Sequence, residues 1–269
     1  MTITINLLAA LAWVATWLLI GVRLRNRLQG KPPQYRHLLI LAWLTALGLH
    51  GWTILQNIWQ PTEISINFTT AGSIVMWLTS MLLFVTMLSR PLETLGVFVA
   101  PFSLTAMLLP LLESDHSTAI HLNNGLEIHI FTSLLAYSML TLAALQALLL
   151  AWQNRHLHNH HPGGLIRTLP PLLDMESLLF KLILLGVILL SFGLLSGALY
   201  IDNLFSQHLV HKTVLSIIAW VVFTALLAGH WLYGWRGRIA IRWTLSGFFL
   251  LMLAFFGSKF VLEFLVKPL

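Results

Sequence analysis

The sequence predicts an all-α, polytopic integral membrane protein, a bundle of eight transmembrane helices with both termini on the periplasmic side. Three observations carry that expectation. Of 269 residues, 58% are apolar and only 9% charged, with a mean hydropathy of +0.83, a balance typical of membrane chains rather than soluble ones. Eight apolar runs approach the roughly 20 residues needed to cross a bilayer core. The connections between them alternate in charge. Arg23, Arg25, Arg27, Lys31 and Arg36 follow the first run, Arg90 the third, Arg155 and Arg167 the fifth, and Arg236, Arg238 and Arg242 the seventh. The other three connections carry no Lys or Arg but hold Glu63, Glu113, Asp115 and Asp202. By the positive-inside rule the basic connections are cytoplasmic. The net charge of +6 is thereby accounted for by topology, and no nucleic-acid partner is expected. The absence of cysteine excludes disulfides, iron–sulfur ligation and thiol-relay chemistry by this chain.

The runs, taken in order, span about 3–22, 38–58, 70–89, 93–112, 125–152, 177–200, 212–234 and 243–264. The first has no basic segment before it and its arginines after it, the reverse of a cleaved signal peptide, so it is expected to be a retained span. Short connections imply a single transmembrane domain over 1–269. The long connection, Gln153 to Met175, contains His156, His158, His160 and His161, then Pro162-Gly163-Gly164. Such a cluster could hold a transition metal, but without a spaced carboxylate or thiolate a solvated loop is the more economical account. Pro170-Pro171 should stop any helix, with Asp174 or Ser177 capping the sixth span. Lys181, Lys212 and Lys259 lie near span ends, where snorkelling is the ordinary explanation.

Polar residues inside a span cost about 2–3 kcal/mol or more if charged, so they usually face a cavity or another helix. Four histidines stand out on that ground. His50 shares a helical face with Trp43, Ala46, Thr53 and Asn57, roughly 15–18 Å from the cytoplasmic interface. His129 shares one with Ser133, Ala136, Tyr137 and Leu140, where small residues leave room for a flat ligand or for close helix packing. His211 and His230 lie on the seventh run, about 28 Å apart along its axis, too far for one iron. Each therefore needs a partner at its own depth. His129 matches His211 near the outer side; His50 and His230 both lie farther in, His230 about 6–12 Å from the cytoplasmic end. Two such pairs suit two bis-imidazole haem positions, with tryptophans such as Trp43 as flat apolar walls. Lys212, beside His211, could meet a haem propionate, although a lone interfacial histidine or lysine is more often an anchor. No paired carboxylates, phosphate loop or interpretable nucleophile triad appears, so no catalytic residue is expected.

The segment from Leu169, L-P-P-L-L-D-M-E-S-L-L-F-K-L-I-L-L-G, with H-I-F-T-S-L-L-A-Y-S from His129, A-G-H-W-L-Y-G-W-R-G-R around His230 and G-L-H-G-W around His50, resembles the CcsA/CcmC-type cytochrome c assembly superfamily, most closely its short inner-membrane YpjD-like branch. The resemblance covers roughly the whole chain. It implies haem binding by His50 and His230 as the transmembrane histidines and by His129 as an outer one, during export and delivery to c-type cytochromes. Two features depart from the family pattern. The tryptophan-rich outer loop is replaced by I-D-N-L-F-S-Q-H-L-V-H-K, and the second outer histidine has no counterpart, since Gly257-Ser258-Lys259 holds none. His211 as its substitute is inferred from depth alone.

The expectation is thus a multi-pass bacterial inner-membrane protein with haem b as ligand, holding or transferring haem in cytochrome c biogenesis without covalent catalysis. Its partners would be the lipid bilayer, haem, and cytochrome c maturation proteins or an apocytochrome. The rival from another class is a membrane accessory or transport protein for divalent metal ions, with His156 to His161 as a cytoplasmic sensor. A third is a structural partner whose histidines are all satisfied by their neighbours.

Overall fold

The computed structural model describes residues 2–32, 34–58, 64–65, 68–89, 92–112, 119–120, 126–158, 169–200 and 210–257. Arg90, Arg167, His160, His161, Lys259 and the acidic residues Glu63, Glu113, Asp115 and Asp202, all singled out above, lie outside them. Among the described residues, eight helices are long and apolar enough to cross a membrane, as the hydropathy pattern requires. The chain folds as two compact units, one of Met1–His121 with Trp152–Leu172 and one of Leu122–Ala151 with Leu173–Leu269.

The first unit is built on α1 (Thr2–Leu28), α2 (Arg36–Ile58), α3 (Phe68–Ser89) and α4 (Gly96–Leu108), the last extended by 3-10 turns at Glu93–Leu95 and Leu109–Leu112. A two-residue antiparallel pair, β1 (Ile64–Ser65) with β2 (Ala119–Ile120), joins two of its connections. Such a pair is too short to leave a period in the sequence. Helix α1 buries Ala9, Trp13, Thr16, Ile20 and Arg23, alternate steps of four and three that define one face. Helices α2 and α3 run antiparallel in a register fixed by side-chain bonds: Trp43 Nε1 donates to Ser80 Oγ at 2.9 Å, and Trp77 Nε1 donates to the Leu47 carbonyl at 2.8 Å. Gly96 admits the side chains of Ile20 and Trp43, which would stand 2.7 and 2.8 Å from a Cβ there. Pro101 inside α4 removes the N–H that would bond Val97, four residues back. The Val97 carbonyl instead accepts from Trp17 Nε1 of α1 at 3.1 Å.

At the end of this bundle lies an ion network. Arg23, only 2% exposed, donates to Glu93 through Nε at 3.0 Å and Nη2 at 2.7 Å, and its Nη1 donates to the Gln34 carbonyl at 2.6 Å. Arg27 Nη2 adds a third bond to Glu93 at 3.1 Å. Arg23 and Arg27, read from the sequence as topology charges, are therefore also part of the packing.

The second unit comprises α5 (Leu126–His158) through Ala151, α6 (Leu172–Tyr200), α7 (Val210–Tyr233) and α8 (Arg238–Met252), the last continued by a π-helical turn Leu253–Gly257. Gly186, Gly193 and Gly197 of α6 face Leu140, Ser133 and His129 of α5, where added Cβ atoms would come within 2.5, 3.0 and 3.0 Å. Small residues thus permit a close antiparallel approach, as in other membrane helix pairs. Trp220 Nε1 of α7 donates to Ser191 Oγ of α6 at 2.8 Å, and Gly247 of α8 admits Phe223 of α7.

Three boundaries differ from expectation. Helix α5 continues through His158, because Gln153 to His158 contains neither Gly nor Pro; His156 is therefore helical and bonds its own Trp152 carbonyl through Nδ1 at 3.0 Å. Helix α6 begins at Leu172, directly after Pro170-Pro171, so Asp174 sits in the first turn, where a carboxylate complements the helix dipole, and Ser177 is interior. Helix α8 begins at Arg238 because Gly237, at φ 56°, completes the turn early and draws Arg238 and Arg242 into the helix.

Candidate functional site: the buried histidines

His50 lies at the centre of the first bundle, 0% exposed. Its Nε2 and Ser73 Oγ are 2.9 Å apart, and the indole of Trp13 meets the ring edge-on at 5.9 Å between centroids. Nδ1 of His50 and Nε1 of Trp13 are both buried without a hydrogen-bond partner among the described residues. Trp43, proposed above as a porphyrin wall, is fully buried and committed to Ser80, with Phe84 tilted against it at 6.1 Å.

In the second bundle, His129 is half-buried. Its Nδ1 lies 2.8 Å from the Gly193 carbonyl, with Ser196 Oγ at 3.4 Å. A carbonyl only accepts, so Nδ1 carries the hydrogen, and Nε2 of the neutral ring keeps the lone pair. Tyr137, on the same face of α5, is buried; its hydroxyl donates to the Leu251 carbonyl where α8 passes into its π turn, and its ring tilts against Phe255 at 5.3 Å. These contacts tie α5 to the end of α8. His211 is exposed in the first turn of α7, with Lys212 half-buried beside it.

His230 ends α7 in a fixed turn. Gly234, at φ 67°, adopts the left-handed conformation that glycine tolerates and lets Trp235 N–H reach back to the Gly229 carbonyl at 3.1 Å. The Trp235 carbonyl then accepts from His230 Nδ1 at 2.9 Å, so His230, like His129, keeps its Nε2 lone pair. Phe180 of α6 stacks on the imidazole at 3.6 Å and 16°. His230 lines a cavity of about 360 Å³ with Phe180, Lys181, Leu227, Trp231 and Arg236 among its other walls, within the roughly 300–1,000 Å³ of small-molecule sites.

The four proposed ligands thus fall into both units: His50 in the first, His129, His211 and His230 in the second. Phe180, Lys181 and Arg236 were not foreseen as site residues. Lys181 looks like a snorkelling lysine and Arg236 like a topology charge, and nothing in their spacing ties them to His230.

A family model described as "Cytochrome C assembly protein" matches residues 35–266. The chain is 32% identical over 256 residues, 94% of its length and 97% of the relative's, to "Inner membrane protein YpjD" of Escherichia coli strain K12. Over 90 residues, 33% of this chain and 29% of the relative, it is 28% identical to "Cytochrome c biogenesis protein CcsA" of Prochlorococcus marinus strain MIT 9515. No solved structure matches.

Proposed function

Because the chain belongs to the cytochrome c assembly protein family, we propose that it is a haem-binding, multi-pass inner-membrane protein that holds or transfers haem b in cytochrome c biogenesis. The family match runs across both units, which we take as parts of one transmembrane domain with both termini on the periplasmic side. One observation carries the haem reading. His129 and His230 each commit Nδ1–H to a backbone carbonyl, the arrangement that orients a metal-ligating imidazole and leaves Nε2 as the donor atom. Haem, when bound, supplies the iron and its ligation chemistry; the chain supplies the nitrogen ligands, apolar walls and exclusion of water, with no catalytic residue. His50, His129, His211 and His230 are proposed as the iron ligands, His211 as partner to His129 with Lys212 toward a propionate, as depth in the sequence suggests. Cytochrome c maturation proteins or an apocytochrome would exchange the haem.

Divalent-metal transport draws no support from the described residues, which include no group of three or more His, Asp or Glu able to hold an ion. Haem-loaded protein is expected to show a low-spin Soret band. His129→Ala and His211→Ala should alter the same component of it, and His50→Ala and His230→Ala should each alter the spectrum as well. A spectrum that all four variants leave untouched would sink the histidine assignment, and protein without any Soret band after expression with ample haem would sink the function.

A further inference from the structure

We propose that the cavity beside His230 receives the two carboxylates of a porphyrin, with Lys181 and Arg236 as their cationic partners and Phe180, Leu184, Leu227 and Trp231 as the apolar bed. The inference rests on the haem reading above and assigns it a carboxylate-binding end. Three features of the cavity argue for it.

The charge is unbalanced in favour of an anion. The ionisable walls besides His230 are Lys181, Arg236 and Glu176, and Glu176 Oε1 already accepts from Gly237 N–H at 2.9 Å. Lys181 and Arg236 are both exposed, where they meet a dianion without first being stripped of water by the protein. Arg236 is also held in place from both sides. His230 Nδ1 bonds the carbonyl of Trp235 just before it, and Glu176 bonds the N–H of Gly237 just after it. That fixes the point from which the Arg236 side chain reaches, and its guanidinium can pair with a carboxylate through two parallel bonds. Finally, the remaining walls are flat or apolar. Phe180 is already stacked on His230, and Trp231 leaves 65% of its surface uncovered. An acidic head on a wide apolar body fits such a lining, and the available nitrogen of His230 favours a porphyrin over a lipid as that body.

Metal-free protoporphyrin isolates the carboxylate contacts from iron ligation. Full-length protein in neutral detergent is titrated with protoporphyrin IX and with its dimethyl ester, followed by porphyrin fluorescence. The wild type should bind the diacid more tightly than the diester. Lys181→Gln with Arg236→Gln should weaken the diacid at least about tenfold and leave the diester unchanged. Equal loss of both ligands, or of neither, overturns the proposal, and matching circular dichroism checks that the exposed substitutions leave the fold intact. Displacement of the diacid by stoichiometric phosphatidylglycerol but not phosphatidylcholine would reassign the two cations to a lipid headgroup and overturn it as well. The two readings fail separately. Diacid binding that depends on the basic pair, without any histidine-ligated haem spectrum, would remove the haem function and keep the cradle. Histidine-ligated haem with indifferent diacid binding would do the reverse.

Discussion

In the first bundle three pairs of polar side chains close on one another; in the second, four polar side chains close on the backbone. Arg23 with Glu93, Trp43 with Ser80 and His50 with Ser73 are side-chain pairs that tie one helix to the next. His129 to Gly193, His230 to Trp235, Gln146 to Met175 and Tyr137 to Leu251 are bonds to carbonyls. The chemical consequences differ. A carbonyl takes one nitrogen of an imidazole and orients the other, whereas His50 meets a serine hydroxyl through Nε2, and a hydroxyl can either donate or accept. In the first bundle these bonds tie one helix to the next, and in the second two of them fix the tautomer of an imidazole.

The strongest way to break this contrast is to remove Glu93. With Glu93→Ala, Arg23 keeps only the Gln34 carbonyl and its charge stays buried, and stranding one member of a buried ion pair costs about 3–5 kcal/mol. Thermal unfolding in detergent should show a large loss. Arg23→Met combined with Glu93→Leu should recover most of it, since apolar residues of similar volume often replace a buried pair without penalty. A Glu93→Ala protein as stable as wild type would show that the network does not secure the first bundle.

A smaller effect sharpens the same contrast inside the second bundle. A Cβ at Gly197 would stand 3.0 Å from His129 Cε1, and one at Gly186 would stand 2.5 Å from Leu140 Cδ2. Each Gly→Ala change overpacks the α5–α6 contact, at a cost of about 1–3 kcal/mol. Only Gly197→Ala presses on an imidazole, so only it should also shift the haem spectrum. Identical spectra in the two variants would separate His129 from ligation.

The eight helices were legible because each must present an apolar surface over the full width of a bilayer, and that requirement shows in any window of the sequence. The face of α5 bearing His129, Ala136 and Leu140 was legible for a related reason, since its residues recur at helical spacing. Contacts between distant segments were not. Arg23 and Glu93 are 70 residues apart, and Arg23 follows an apolar run as a topology-setting arginine does. Phe180, Lys181 and Arg236 meet His230 only because α6 and α7 pack side by side and two positive-φ glycines, Gly234 and Gly237, turn the chain back. The start of α8 was misplaced for the same reason: a glycine in a left-handed conformation ends a turn sooner than hydropathy indicates. Tyr137 lies on the same face of α5 as His129, and its hydroxyl is held by a carbonyl that no periodicity reveals.

The finest test compares two serines, each beside a histidine. Ser73 is the hydrogen-bond partner of His50 Nε2, and Nδ1 of that ring already lacks one. Ser73→Ala therefore leaves a buried imidazole unsatisfied at both nitrogens, a loss of about 1–3 kcal/mol. Ser196 stands 3.4 Å from His129 Nδ1, but that nitrogen bonds the Gly193 carbonyl at 2.8 Å whether or not the hydroxyl is present. Ser196→Ala removes only the hydroxyl's own bond to the same carbonyl, at 3.0 Å, and should cost roughly 0.5–1 kcal/mol. Unfolding midpoints of the two variants, taken in the same detergent, give the difference directly. If Ser196→Ala proved as damaging as Ser73→Ala, the hydroxyl rather than the carbonyl would be fixing the His129 ring, and its Nε2 would no longer be assigned as the free donor.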